Sequence, residues 1–103
     1  MISILTRHTT ALEELCARYR VARLAVFGSA AGDDFDEASS DVDLLVEFEP
    51  LTPVERADAY FGLLESLEQL LGVPVDLLES GPIRNPYLKR SIDETRVVVY
   101  EAA

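Results

Sequence analysis

The sequence predicts a small α/β (α+β) fold, one mixed β-sheet packed by helices, and three observations point to it. Apolar residues recurring at three- and four-residue steps alternate with short apolar runs of strand length. Pro53, Gly72, Gly81-Pro82 and Pro86 punctuate the boundaries between these segments. The 103 residues suffice for one hydrophobic core but leave no room for a second substrate-binding domain, so residues 1–103 read as a single domain.

The elements follow in order. Residues 3–20 contain no Gly or Pro, and Ile4, Leu5, Ala11, Leu12, Leu15 and Tyr19 mark one face of an amphipathic helix. Residues 22–27 form a short buried strand ending at Val26-Phe27, which Gly28-Ser29 breaks. Ala30 and Ala31 start a short helix with Ser29 near its N-cap, and residues 32–40 form a polar, acidic loop. Residues 41–48 are the second strand, with Val42, Leu44, Val46 and Phe48 on one face. Pro50 and Pro53 bracket a turn. Pro53 suits the first turn of a helix running to Leu71, with Val54, Ala57, Phe61, Leu64, Leu67 and Leu71 as its apolar stripe and Gly72 as its stop. Residues 73–78 are the third strand, and Pro74 marks an edge position or a strand beginning. After the Gly81-Pro82 turn come a helix from Pro86 to Thr95 and a last strand from Val97 to Tyr100.

Composition narrows the function. Hydrophobic residues at 49% and charged residues at 27% describe a globular chain, not a disordered one. Nine Lys and Arg against nineteen Asp and Glu give a net charge of −10. Such a chain repels phosphate backbones, so no direct nucleic-acid binding is expected. A nucleotide can still bind where metal cations screen the contact, and the acidity suits a basic protein partner. The single cysteine, Cys16, excludes an internal disulfide, fits a reducing cytoplasm, and reads as a core residue beside Leu12, Leu15 and Tyr19. Residues 1–8 lack a secretory pattern, and no apolar run approaches the roughly 18 residues of a membrane span, so a cytoplasmic protein without membrane contact is expected.

The chemistry-bearing residues are Gly28-Ser29, Asp41-Val42-Asp43 and Asp76. On a strand, Asp41 and Asp43 face the same side, about 6.6 Å apart along it. Two carboxylates there repel each other unless a cation lies between them, and magnesium favours carboxylate and phosphate oxygens. A pair of magnesium ions about 3.5–4 Å apart can be bridged by such groups. Taken alone, Asp-x-Asp after Ser39-Ser40 is more often a solvated strand start. Asp76 alters the balance: it sits between Val75 and Leu77, where pairing beside the second strand brings it to the same face. An acid in an apolar strand costs stability unless paired or metal-bound, and it can act as general base towards an attacking hydroxyl. The competing reading leaves Asp76 protruding from an edge strand. Gly28 permits close backbone approach to a phosphate and Ser29 adds a hydroxyl donor, although Gly-Ser alone is an ordinary turn.

The string Phe27-Gly28-Ser29, a polar loop, then Ser40-Asp41-Val42-Asp43-Leu44-Leu45-Val46 resembles the minimal nucleotidyltransferase domain of the DNA polymerase β-like superfamily. It is most similar to the antitoxins that partner HEPN-domain toxins. The likeness runs from the first helix to Arg84-Asn85-Pro86-Tyr87 and the terminal Val97-Val98-Val99-Tyr100. The resemblance implies a polymerase β-like palm. It implies that Gly28 and Ser29 hold the triphosphate, that Asp41 and Asp43 bind metal, and that Asp76 is the third carboxylate, a metal ligand and candidate base. It further implies two Mg2+ ions, ATP as substrate, and transfer of AMP to a tyrosine hydroxyl of a HEPN toxin, with which the chain forms a hetero-oligomer. Two departures stand out: eleven residues separate Ser29 from Asp41, a longer spacer than usual, and the loop begins Ala30-Ala31-Gly32-Asp33-Asp34 without the customary basic residue. The alternative is an antitoxin that neutralises by binding alone. A transferase acting on a small molecule such as an aminoglycoside would need a further domain to hold it.

The remaining candidates are weaker. Arg84, Lys89 and Arg90 form a basic cluster that either faces phosphates or a partner, or is a solvated helix face with local salt pairs. Tyr60, Phe61, Tyr87 and Tyr100 read as core and rim packing. His8 has no second histidine for a metal pair, and the acidic stretch 33–37 lacks calcium-loop spacing.

Overall fold

The computed structural model describes residues 5, 7–28, 41–81 and 84–102. Its elements are α1 (Thr9–Arg18), β1 (Val21–Phe27), β2 (Val42–Phe48), α2 (Pro53–Leu71), β3 (Val75–Glu79), α3 (Pro86–Thr95) and β4 (Val97–Glu101). The expected alternation of helices and strands is present. The expected helical run over residues 3–20 is interrupted at residues 7 and 8, where the His8 amide donates to the carbonyl of the helical Leu5 at 3.0 Å and closes a turn; residues 3, 4 and 6 lie outside the described residues. Helix α1 opens with the Leu12 amide on the His8 carbonyl at 2.8 Å. The short helix expected at Ala30-Ala31, the Ser29 cap and the loop 32–40 lie outside the described residues.

Helix α2 has the expected boundaries for local reasons. Thr52 and Glu55 form a reciprocal capping box: the Glu55 amide donates to Thr52 Oγ1 at 3.2 Å, and the Thr52 amide donates to Glu55 Oε1 at 2.9 Å. Pro53 opens the helix, and Gly72 ends it in the left-handed region with its amide on the Glu68 carbonyl. Thr52→Ala is expected to lower the unfolding free energy by about 1 kcal/mol, measured by urea denaturation.

The face of α2 differs from the expected stripe. Leu63, Leu67 and Leu71 are buried, with Tyr60, Leu64 and Leu70 packed beside them. Val54 (72% exposed), Ala57 and Phe61 (66% exposed) face solvent. At about 100° per residue, Val54 and Phe61 lie a quarter turn or more from the Leu63–Leu67 line, so the expected stripe crossed from one face to the next. Phe61 packs at the rim, its ring edge-on to Tyr60 with centroids 5.2 Å apart, while the Tyr60 hydroxyl donates to the Leu77 carbonyl at 2.5 Å; Tyr87 on α3 is 83% exposed and outside the core.

The strands form one sheet in the order β3-β2-β1-β4. β1 is antiparallel to both β2 and β4, and β2 is parallel to β3 across the α2 connection. β3 is an edge strand, as Pro74 suggested; the proline carbonyl accepts the Val42 amide at 3.0 Å where the ladder begins. One face of the sheet carries Leu24, Val26, Val42, Leu44, Val46, Val75 and Leu77, which pack with Leu12 and Cys16 of α1 and with α2. Burial pushes the Cys16 thiol up to about 12, consistent with an inert core residue. Residues 24–27 are all buried, so β1 is covered on both faces. On the second face α3 packs against β1, where Ala25, Phe27 and Ile92 are buried. The neighbouring β2 and β3 stay partly open there, and that opening holds the candidate site.

Candidate active site

Asp41 immediately precedes β2, Asp43 is the second residue of β2, and Asp76 is the second residue of β3. The parallel register sets Asp43 directly beside Asp76, on strands about 4.8 Å apart. The flanking pairs, Val42 with Val75 and Leu44 with Leu77, are buried on the other face, so alternation turns Asp43 and Asp76 together onto the open one. Asp41 stands just before the strand, and its charge reaches Asp43. Asp41 and Asp76 are exposed and Asp43 is half-buried. The structure thus sets Asp43 and Asp76 on one face and leaves Asp41 at the same end, within electrostatic reach of Asp43.

Their proximity is felt electrostatically. Burial raises the Asp43 carboxyl above its ordinary value of 3.8, and the charges of Asp76 and then Asp41 raise it further. Because the folded-state pKa exceeds the unfolded one, the protonated form favours the native state fully below the unfolded pKa. That contribution is lost as pH rises through the folded pKa. At neutral pH the ionised Asp43 works against the fold, and an opposing positive charge would relieve it.

Gly28 closes the other side of Asp43. Phe27 pairs with Asp43 across the antiparallel β1–β2 ladder, so the chain leaves β1 alongside that carboxylate. Gly28 has φ of +69°, and a Cβ there would lie 2.6 Å from Asp43 Oδ2. Its amide donates to Thr95 Oγ1 at 2.7 Å, and the Thr95 hydroxyl donates to the Ser91 carbonyl at 2.6 Å. The Gly28 amide is therefore engaged inside the protein, and the close approach that the glycine permits is to Asp43. Ser29 lies outside the described residues. Sequence reasoning missed Thr95. Nothing in a threonine at the end of a predicted helix marks a contact spanning 67 residues of chain.

The same face continues into a cleft of about 400 Å3, with Leu45, Ser80, Lys89, Ile92, Asp93 and Arg96 among its lining residues. Leu45 is two positions beyond Asp43, so the cleft adjoins the carboxylates. Arg20, Arg23, Arg56 and Arg90 each pair with a glutamate, while Lys89 and Arg96 have no ion pair among the described residues. The basic cluster thus divides: Arg90 pairs with Glu94 along the helix at 2.9 Å, and Lys89 turns to the cleft.

Oxygen-only donors with mutual repulsion suit a hard divalent cation. Among the described residues no three acidic, histidine or cysteine side chains form a metal cage by themselves. Among the described residues, no helix is long and apolar enough to cross a membrane.

Comparison with known proteins bears on the family and the fold. A family model described as a nucleotidyltransferase domain matches residues 9–99. A Methanocaldococcus jannaschii protein named as a candidate protein adenylyltransferase is 42% identical over 98 residues, covering 93% of this chain and 91% of the relative. The protein adenylyltransferase MntA of Thermococcus cleftensis is 38% identical over 98 residues, covering 95% and 89%. A solved structure described as a candidate minimal nucleotidyltransferase superposes with a TM-score of 0.64 at 33% identity, covering 93% of each chain. A toxin–antitoxin structure with AMP-PNP shares the fold, with a TM-score of 0.65 at 18% identity over 91% of this chain and 73% of the other.

Proposed function

We propose that this chain, which belongs to the nucleotidyltransferase domain family, is an antitoxin that transfers AMP from ATP to a tyrosine hydroxyl of a HEPN-domain toxin. The observation that carries the reading is the register that pairs Asp43 with Asp76 while Gly28 crowds Asp43 from the other side. Protein adenylyltransferase names among its relatives, and a toxin–antitoxin structure of the same fold with an ATP analogue, support the reaction and the kind of partner.

Asp41, Asp43 and Asp76 would hold divalent metal, taken as two Mg2+ ions. When bound, these ions neutralise phosphate oxygens on both the attacking and leaving sides of the transfer. Gly28 and Ser29 would lie against the triphosphate. Lys89 and Arg96 would supply the positive charge that the acidic 30–40 segment lacks. An Asp76 carboxylate oxygen would take the proton from the attacking hydroxyl. The hydroxyl oxygen bonds to the α-phosphorus as the bond from that phosphorus to the pyrophosphate oxygen breaks, and pyrophosphate leaves.

Two measurements follow. Incubation with ATP, Mg2+ and the toxin is expected to release pyrophosphate; release of ADP and phosphate instead would overturn the reading. Mg2+ or Mn2+ is expected to raise the melting temperature at neutral pH by relieving Asp43. That rise should shrink in Asp43→Asn and fade as the pH is lowered towards the protonation of Asp43.

The −10 charge favours a second reading, neutralisation by binding a basic toxin surface alone. Survival of toxin-expressing cells with an Asp41→Ala/Asp43→Ala antitoxin would select it.

A further inference from the structure

We propose that Thr95 is a positioning residue for Asp43, acting through the turn at Gly28. The inference rests on the transfer reaction above. The relay runs in one direction: the Gly28 amide donates to Thr95 Oγ1 at 2.7 Å, and the Thr95 hydroxyl spends its proton on the Ser91 carbonyl at 2.6 Å. The second bond fixes the rotamer of Thr95 and leaves its oxygen lone pairs aimed at Gly28; each bond polarises the other. The Arg96 amide on the Ile92 carbonyl at 2.8 Å anchors the same turn of α3.

What the relay holds is the wall of the carboxylate site. The Gly28 backbone passes so near Asp43 that a Cβ would sit 2.6 Å from Oδ2. A shift of Gly28 towards β2 therefore displaces the carboxylate, and a shift away opens the site. The left-handed φ of +69° is the conformation the relay must maintain. Thr95 touches no reacting atom; it sets where Gly28 stands, and Gly28 bounds where Asp43 can stand. The last residue of α3 thus ties the helix on the second face of the sheet to the catalytic end of β1 and β2.

Thr95→Val keeps the shape and removes both hydrogen bonds, leaving the Gly28 amide without its partner. Thr95→Ser keeps both. Three readouts separate positioning from mere stabilisation: hydrogen exchange of the Gly28 amide by NMR, affinity for Mn2+–ATP, and AMP transfer per folded molecule. Thr95→Val is expected to lose Gly28 protection, to weaken Mn2+–ATP binding, and to lower transfer by about 10–100-fold, the range seen when an outer-shell partner is removed. Thr95→Ser is expected to stay close to the unaltered protein in all three. Unchanged transfer in Thr95→Val, retained Gly28 protection, or an equal loss in Thr95→Ser would overturn the proposal. Should the unaltered protein transfer no AMP, the proposed function falls by itself, and Mn2+–ATP affinity then decides on Thr95: equal affinities in the Val and Ser variants reject its positioning role.

Discussion

Asp43→Asn is expected to lower AMP transfer by at least about 10²–10³-fold, the scale of losing one preorganised electrostatic group, while raising the melting temperature. Asp43 is the carboxylate with neighbours on every side: Asp76 beside it in register, Asp41 two residues before it, and Gly28 above it. Each neighbouring charge, together with burial, raises its pKa. The same repulsion that attracts a cation disfavours the empty site, so the neutral amide should stabilise the protein as it removes activity. Asparagine keeps the shape, so the pairing of Phe27 with residue 43 should survive. Thermal denaturation without metal and a transfer assay on the same preparation measure both halves. Lower stability without metal would count against the electrostatic account, and retained transfer would remove Asp43 from the chemistry.

Gly28→Ala is expected to cost both stability and activity. The left-handed φ of +69° costs a non-glycine residue roughly 1–2 kcal/mol. The added methyl would stand 2.6 Å from Asp43 Oδ2, so either the carboxylate or the turn must move. A displacement near 1 Å at reacting groups lowers rates by about 100-fold. Urea denaturation gives the first quantity, and kcat per folded molecule gives the second. An alanine variant with a lowered midpoint but the full rate would show that Gly28 serves the turn alone.

Comparing these two residues shows what the sequence made legible. The spacing of Asp41-Val42-Asp43 showed which side chains share a face, because strand alternation has a period of two; that the pair is more than a solvated strand start was legible only with Asp76 and the family resemblance. The helix boundaries were equally local: Pro53 and Gly72 bound α2, and Pro86 opens α3. Which face of α2 meets the sheet was not local. Val54 and Phe61 are as apolar as Leu63 and Leu67, and only the position of the sheet distinguishes them. The pairing of Asp76 with Asp43 could be anticipated as a neighbourhood, but its register depends on how α2 returns the chain to the sheet. The role of Gly28 was legible as a need for close approach, whereas the partner of that approach, Asp43, was not. Thr95 carries no pattern at all, since its bond to Gly28 exists only once α3 lies across β1.

The central claim is that Asp41, Asp43, Asp76 and Gly28 form one nucleotidyl-transfer site directed at a toxin. Intact-mass spectrometry of the toxin after incubation with this protein, ATP and Mg2+ tests it most directly. The account predicts a toxin heavier by one or more AMP groups, with the adduct on a tyrosine, and no adduct when Asp43→Asn replaces the unaltered protein. A toxin of unchanged mass, or one modified equally by Asp43→Asn, would contradict it.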